Sequence, residues 1–168
     1  MICKLAGSLL LLLAGGYLSM AITHFERRRM RVLDGYISLL YYIKGQIDCY
    51  ALPLSDILER ADPAVLAACL GLEGNAPLPV LGEGDGPSLS RMVGESRLYL
   101  EGESERLLSS LAGELGSVYR TEQVLRCQHY LDALTHERRR LADTLPTRLR
   151  TTCTLCLSAA LAAAVLLW

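Results

Sequence analysis

The sequence predicts an all-α fold in which a cytoplasmic helical bundle lies between an N-terminal and a C-terminal transmembrane helix. Three observations predict this fold. Both ends of the 168-residue chain are apolar, because all eighteen acidic residues and sixteen of the seventeen basic residues fall within residues 23–150. In this charged middle, apolar residues recur every three or four positions, which is the period of one helix face. No stretch of the sequence shows the alternating pattern of a half-buried strand.

The first transmembrane helix is predicted within residues 1–22. Residues 5–22 contain no charged side chain, and eighteen helical residues extend about 27 Å, close to the ~30 Å hydrocarbon core of a bilayer. A cleaved signal peptide is an alternative, since Ser19-Met20-Ala21 has the small-x-small pattern of a cleavage site. A buried core helix is a second alternative, although such helices are usually shorter or striped with polar residues. The basic residues that follow oppose translocation and favour the membrane helix: Arg27, Arg28, Arg29 and Arg31.

The second transmembrane helix is predicted at residues 151–168, which also lack Asp, Glu, Lys and Arg and end on Trp168, a residue type common at membrane interfaces. Basic residues precede it: Arg138, Arg139, Arg140, Arg148 and Arg150. By the positive-inside rule, the arginines beside each apolar segment both predict that residues 23–150 lie in the cytoplasm. These two groups of arginines are predicted to set the topology or to face lipid headgroups. Six scattered cysteines agree with a reducing compartment.

The bundle itself is predicted to begin with a helix over residues 24–50 that continues the first apolar segment. Leu52-Pro53-Leu54 ends this helix, because proline removes an amide donor and disfavours helix in the preceding residue. Asp62-Pro63 predicts the start of another helix, with Asp62 as N-cap and Pro63 in the first turn. Residues 71–88 contain five glycines and three prolines and are predicted to form a mobile loop.

The second half of the bundle is predicted to contain helices over residues 89–118 and from residue 121 onwards. Gly102 is expected to divide the first of these, with Ser104 as cap of the second piece. From residue 121 a regular stripe packs against the helix at 24–50, and only Arg138 interrupts its apolar character. Pro146 predicts a kink or break. The stripe consists of Val124, Cys127, Leu131, Leu134, Arg138, Leu141 and Leu145.

The motifs that suggest chemistry are incomplete. His136-Glu137 begins a zinc-binding motif, but Arg140 stands where its second histidine would be. His129 is too far from His136 along a helix to share one ion with it. No catalytic, cofactor-binding or metal-binding residue is therefore predicted, and no small-molecule substrate. A net charge of −1 gives no indication of nucleic-acid binding.

Small residues in the two apolar segments predict close helix packing in the membrane. Cys156, Ala160 and Ala164 form a ladder with a spacing of four residues, and Gly15 and Ser19 form a matching notch in the first segment. The pair Cys153 and Cys156 has the spacing of a redox or metal motif, but its place at the start of an apolar helix favours packing instead. The two segments are expected to pair with each other or with helices of another protein.

Several sequence motifs resemble those of one protein family. Gln46-Ile47 is followed by Pro53-Leu54-Ser55-Asp56-Ile57-Leu58, Leu111-Ala112-x-x-Leu115-Gly116 is followed by Gln123, and a basic helix at 138–150 leads into the terminal apolar segment. In these features the chain resembles the stage III sporulation protein AB family, which is similar to the cytoplasmic domain of the F-component platform proteins of type II secretion. The likeness covers nearly the whole chain.

The resemblance implies a non-enzymatic scaffold in a sporulation channel, located in the mother-cell membrane with most of the chain cytoplasmic. Its implied partners are membrane lipid and other channel components, including a cytoplasmic secretion-type ATPase that the scaffold would couple to the membrane. The alternative is a small membrane-anchored sensor or regulator that transmits a signal through the bundle.

Overall fold

The computed structural model describes residues 2–50, 52–72, 88–100, 102–115 and 120–166. These residues form six α-helices and no strand, which confirms the all-α fold. The flanking transmembrane helices are not supported in the same way, because no helix among the described residues has both the length and the apolarity needed to cross a membrane. The helices are α1 (Ile2–Tyr50), α2 (Leu54–Glu59), α3 (Pro63–Cys69), α4 (Leu89–Glu95), α5 (Glu103–Glu114) and α6 (Arg120–Leu166).

The first half of the chain follows the predicted breaks. Helix α1 continues without interruption from the apolar N-terminal segment to Tyr50, and α2 begins directly after Pro53. At the start of α3, the side chain of Asp62 accepts a hydrogen bond from the backbone N–H of Ala64 at 2.9 Å, and Pro63 is the first helical residue. Asp62 thus satisfies an amide that the helix itself leaves without a partner.

The region after residue 88 confirms one prediction and corrects another. Gly102 separates α4 and its following 3₁₀ turn (Ser96–Leu98) from α5, and its φ of 60° is a conformation that favours glycine. The predicted cap at Ser104 is wrong, because α5 already begins at Glu103 and Ser104 lies inside it. Its buried hydroxyl makes no hydrogen bond within the described chain. The predicted mobile loop falls mostly on residues 73–87, outside the described residues.

Helix α6 is continuous through Pro146, so a break at this residue does not occur. Proline removes a single amide donor and strains one turn, which a long helix with favourable contacts on both sides of the proline tolerates. The stripe predicted for this helix faces inward in its first half, where Cys127, Leu131 and Leu134 are buried.

The chain divides into two compact units. We call residues Met1–Arg27 with Leu141–Trp168 the terminal unit, and Arg28–Arg140 the central unit. Every buried apolar side chain among the described residues belongs to the central unit. There, α1 and all five other helices contribute buried apolar side chains. The largest members of this core include Tyr36, Leu39, Ile43, Ile57, Met92, Leu108 and Leu131.

Candidate functional site

In the terminal unit, α1 and α6 approach each other closely at the small residues that the sequence singled out. A Cβ atom added at Gly15 would lie 3.0 Å from the Cβ of Ala160 and 3.5 Å from the carbonyl oxygen of Cys156. One turn further along α1, the Ser19 hydroxyl donates to the Cys153 sulfur at 2.8 Å. The structure therefore brings Gly15, Cys156 and Ala160 together within one chain. Ala164 lies in α6, but its side chain is outside the described part.

The same unit exposes large apolar side chains on both of its helices. Large hydrophobic side chains of α1 and α6 are exposed there, and the sequence carries no formal charge over residues 5–22 and 151–168. Such side chains normally lie in the interior of a protein. On α1 and α6 respectively, the exposed ones include Leu13, Tyr17, Leu18 and Met20, and Leu155, Leu157, Leu161 and Val165.

The arginines predicted to face lipid fall into two groups. Most of them are exposed: Arg27, Arg31, Arg139, Arg140, Arg148 and Arg150. Arg28, Arg29 and Arg138 are instead partly or largely buried in the central unit. Arg29 is only 8% exposed, so the fold rather than a lipid headgroup surrounds it. Burying a guanidinium is costly unless it is paired, so the protein interior constrains Arg29, whereas Arg28 and Arg138 are only partly buried.

Arg28 holds the end of α3 against α1. Its Nε donates a hydrogen bond to the carbonyl oxygen of Gly71, and its guanidinium carbon lies 5.1 Å from the ring centroid of Tyr99. Gly71 has a φ of 68°, and a Cβ at this position would lie 2.9 Å from the Tyr99 ring. The turn after α3 therefore requires glycine, both for its backbone conformation and for the aromatic ring beside it.

Arg138, the polar interruption of the α6 stripe, pairs with Asp34 of α1. The Arg138 Nε donates to Asp34 Oδ1 at 2.9 Å, and Nη2 donates to Oδ2 at 3.4 Å. The hydrogen bond to Asp34 and the charge of its carboxylate raise the pKa of Arg138. The apolar stripe predicts that Arg138 lies on the inner face of α6, but no local signal pairs it with Asp34, which lies 104 positions away in the sequence.

The residues that suggested a zinc motif also take part in an ion pair. Arg140, which stands where a second histidine would be needed, donates to the largely buried Glu137 at 2.8 Å. His129 and His136 are both exposed. Across the described part of the chain, no three His, Cys, Asp or Glu side chains lie close enough together to hold a metal ion.

Comparisons of this chain with protein-family models, with curated proteins and with solved structures find no match. The resemblance to the stage III sporulation protein AB family accordingly rests on the motifs around Pro53, Leu111 and the basic part of α6 alone.

Proposed function

We propose that this chain is a non-enzymatic, membrane-anchored scaffold. The terminal unit holds it in the cell membrane, and the central unit presents a docking surface to cytoplasmic partners. The observation that carries the proposal is the exposed apolar surface of the terminal unit on two helical segments without formal charge.

The free-energy cost of exposing apolar surface to water supports the membrane part of the proposal. Each Å² of apolar surface left in water costs about 25 cal/mol, and soluble monomers rarely expose a contiguous apolar patch larger than a few hundred Å². Lipid removes this cost. The close contact of Gly15 with Ala160 also suits a membrane, where helices associate through small residues rather than through the hydrophobic effect. The exposed Arg27, Arg148 and Arg150 suit the cytoplasmic interface by the positive-inside rule.

The scaffold part of the proposal rests on the surface of the central unit. Single apolar side chains are exposed among charged ones there, at Tyr41, Tyr50, Leu98 and Leu125. Isolated aromatic and aliphatic side chains within a charged surface provide contact points for a partner, while the charges around them select which partner binds. The family resemblance supplies the setting: a secretion-like sporulation channel in the mother-cell membrane, in which the partners are a cytoplasmic ATPase and other channel components.

A sensor or regulator is the second candidate, and one observation favours it. Helices α1 and α6 each contribute residues to both units. A change in one unit could therefore reach the other along a continuous helix. A sensor requires a ligand-dependent change in the central unit, whereas a scaffold requires stable protein partners.

Charge substitutions test the anchoring. We expect the double variant Leu18→Lys with Leu161→Lys to shift the protein from the carbonate-resistant membrane fraction to the soluble fraction, because each lysine in lipid costs about 3 kcal/mol. The matched control is Leu98→Lys with Leu125→Lys, which replaces two still more exposed leucines of the central unit and should leave the protein in the membrane. If both double variants fractionate like the unmodified chain, the membrane part of the proposal is wrong.

Photocrosslinking in sporulating cells tests the scaffold. Photoreactive residues at the exposed positions Glu59, Leu125 and Arg139 should give adducts with other proteins, among them an ATPase. The same group at Leu161 should give lipid adducts or adducts with membrane proteins. Lipid adducts alone at all of these positions would exclude a scaffold and favour the sensor.

A further inference from the structure

A small cavity of about 30 Å³ opens in the terminal unit between α1 and α6. A group the size of a water molecule needs about 10–15 Å³ by this kind of measure, so the cavity admits about two such groups. It lies where charged sequence gives way to uncharged sequence on both helices: Ile22 is the last of the uncharged residues 5–22, and Thr152 is the second of the uncharged residues 151–168. The lining includes Ile22, Glu26, Leu145, Arg148, Leu149 and Thr152.

Two side chains of opposite charge line the cavity without neutralising each other. Glu26 belongs to α1 and is half-buried, and Arg148 belongs to α6 and is exposed. No ion pair joins them, and neither side chain takes part in any other hydrogen bond or ion pair with the described residues. A half-buried carboxylate that has lost part of its hydration and has no protein partner favours a cation beside it.

Thr152 adds a second acceptor to the cavity. Its hydroxyl donates its one proton to the backbone carbonyl oxygen of Arg148 at 2.9 Å, so the lone pairs of its oxygen remain for accepting a hydrogen bond. The carboxylate of Glu26 is also an acceptor only. A group that binds beside these two must bring hydrogen-bond donors and positive charge. A primary ammonium group brings both, with three N–H donors and no acceptor, whereas the quaternary ammonium of choline has no N–H.

We propose that this cavity binds the ammonium group of a phosphatidylethanolamine headgroup beside Glu26 and Thr152, and that Arg148 binds the phosphate of the same lipid. The headgroup carries one positive and one negative charge, which matches one carboxylate and one guanidinium. The inference deepens the proposed function and rests on it, because the cavity lies at the depth of lipid headgroups only if the two uncharged segments lie in the hydrocarbon core.

Titration of the full chain in neutral detergent with two short-chain lipids, at constant ionic strength, tests the site. Phosphatidylethanolamine and phosphatidylcholine carry the same phosphate, but only the first has N–H donors on its ammonium group. We expect phosphatidylethanolamine to bind about tenfold more tightly by calorimetry, as for hydrogen bonds between charged groups. Equal binding of the two lipids, or no binding of either, would overturn the proposal.

Two pairs of variants test the acceptors. Glu26→Gln should bring the two affinities to within about threefold of each other, whereas Asp143→Asn, at an exposed carboxylate of the same unit outside the cavity, should keep the preference. Thr152→Val keeps the shape of the side chain and should reduce the preference several-fold. Its control is Thr151→Val, because Thr151 donates to the Thr147 carbonyl at the same 2.9 Å but does not line the cavity. If Glu26→Gln retains the preference that Asp143→Asn shows, the cavity is not the ammonium site.

A third pair of variants tests the phosphate contact. Arg148→Gln should weaken the binding of both lipids about tenfold and leave the ratio of their affinities unchanged, because both carry the phosphate. Arg150→Gln is the control, since it removes an exposed arginine of the same helix that does not line the cavity. Equal weakening by both variants would indicate general charge attraction and would overturn the assignment of the phosphate to Arg148.

Two further measurements separate the lipid from its soluble headgroup and the site from the anchoring. Phosphoethanolamine has no acyl chains to contact Ile22 and Leu149, so it should bind several-fold more weakly than the lipid, and equal binding would overturn the assignment to a lipid. A chain that stays in the membrane fraction of cells but binds both lipids equally lacks the headgroup site alone. A chain found in the soluble fraction would overturn the anchoring and the site together.

Discussion

The central and terminal units place the same kind of side chain in opposite environments. Leu131 and Leu161 both belong to α6, yet Leu131 in the central unit is 0% exposed and Leu161 in the terminal unit is 55% exposed. The difference comes from the number of neighbouring elements. In the central unit five further helices contribute buried side chains beside those of α1, whereas in the terminal unit the described residues belong to α1 and α6 alone. Two helices alone cannot enclose an apolar surface.

The two units also use different interactions to hold α1 and α6. In the central unit, burial of large apolar side chains is supplemented by the Arg138–Asp34 pair. In the terminal unit, close contact at Gly15 and Ala160 is supplemented by the Ser19–Cys153 hydrogen bond. The first set depends on exclusion of water, and the second depends on van der Waals contact and local hydrogen bonding.

Truncation of a leucine in each unit should give the largest difference. Leu131→Ala removes a fully buried side chain and leaves a cavity, so we expect a loss of about 2–5 kcal/mol in the free energy of unfolding. Leu161→Ala removes an exposed side chain and should change it by less than about 0.5 kcal/mol. Denaturant unfolding in neutral detergent, followed by far-UV circular dichroism, measures both. Similar losses for the two variants would mean that the units do not differ in packing.

Two glycines of α1 should respond oppositely to alanine. A Cβ at Gly35 would lie 2.8 Å from the backbone nitrogen of Cys69 and 2.9 Å from the carbonyl carbon of Ala68, so Gly35→Ala must push α3 away. We expect a loss of about 1–3 kcal/mol. Gly45 has no atom within 4 Å of such a Cβ, and Gly45→Ala should stabilise the helix by about 0.5–1 kcal/mol. Thermal melts of both variants provide the measurement.

The terminal unit contains a matching pair of glycines. Gly15→Ala brings a methyl group to 3.0 Å from the Ala160 Cβ, whereas Gly16→Ala meets nothing within 4 Å. We expect Gly15→Ala to be the less stable of these two, with a smaller loss than Gly35→Ala because the opposing atom is a side-chain methyl rather than backbone. A larger loss at Gly15 than at Gly35 in thermal melts would contradict this ranking of the two contacts.

Alkaline pH should weaken the central unit through Cys69. Burial raises the pKa of the Cys69 thiol from 9.0 to about 12. Between these values the unfolded chain releases a proton that the folded chain retains, so stability is complete below pH 9 and falls as the pH rises towards 12. At pH 10 the loss from this group is about 1 kcal/mol. Stability measured at pH 8 and pH 10 should therefore fall less in Cys69→Ala than in the unmodified chain, and an identical fall would contradict this assignment.

Local signals predicted most of the fold. Pro53, Asp62 and Gly102 each mark a boundary through their own backbone chemistry, so the helix divisions there could be predicted without tertiary information. Ser104 misled the prediction because a serine near a helix start suggests a cap. Whether it serves as one depends on where the preceding glycine turns the chain.

The candidate sites were less predictable. The small residues Gly15 and Ala160 could be found from their spacing, because a notch and a ladder on two apolar segments suggest a contact. The role of Arg28 could not, since its partners Gly71 and Tyr99 lie 43 and 71 positions away in the sequence. A row of arginines after an apolar segment looks uniform in sequence, and only the neighbours in space separate buried members from exposed ones.

The sequence by itself determined that this chain is helical, where most of its helices begin, and which lengths of α1 and α6 carry no charge, because these properties depend on residues within a few turns of each other. Only the tertiary structure decided that Arg138 meets Asp34, that Arg29 is enclosed, and that Glu26 and Arg148 line one cavity. The physical reason is that each of these outcomes depends on which helix faces come into contact. The Arg138–Asp34 pair and the cavity both join segments that lie far apart in the chain.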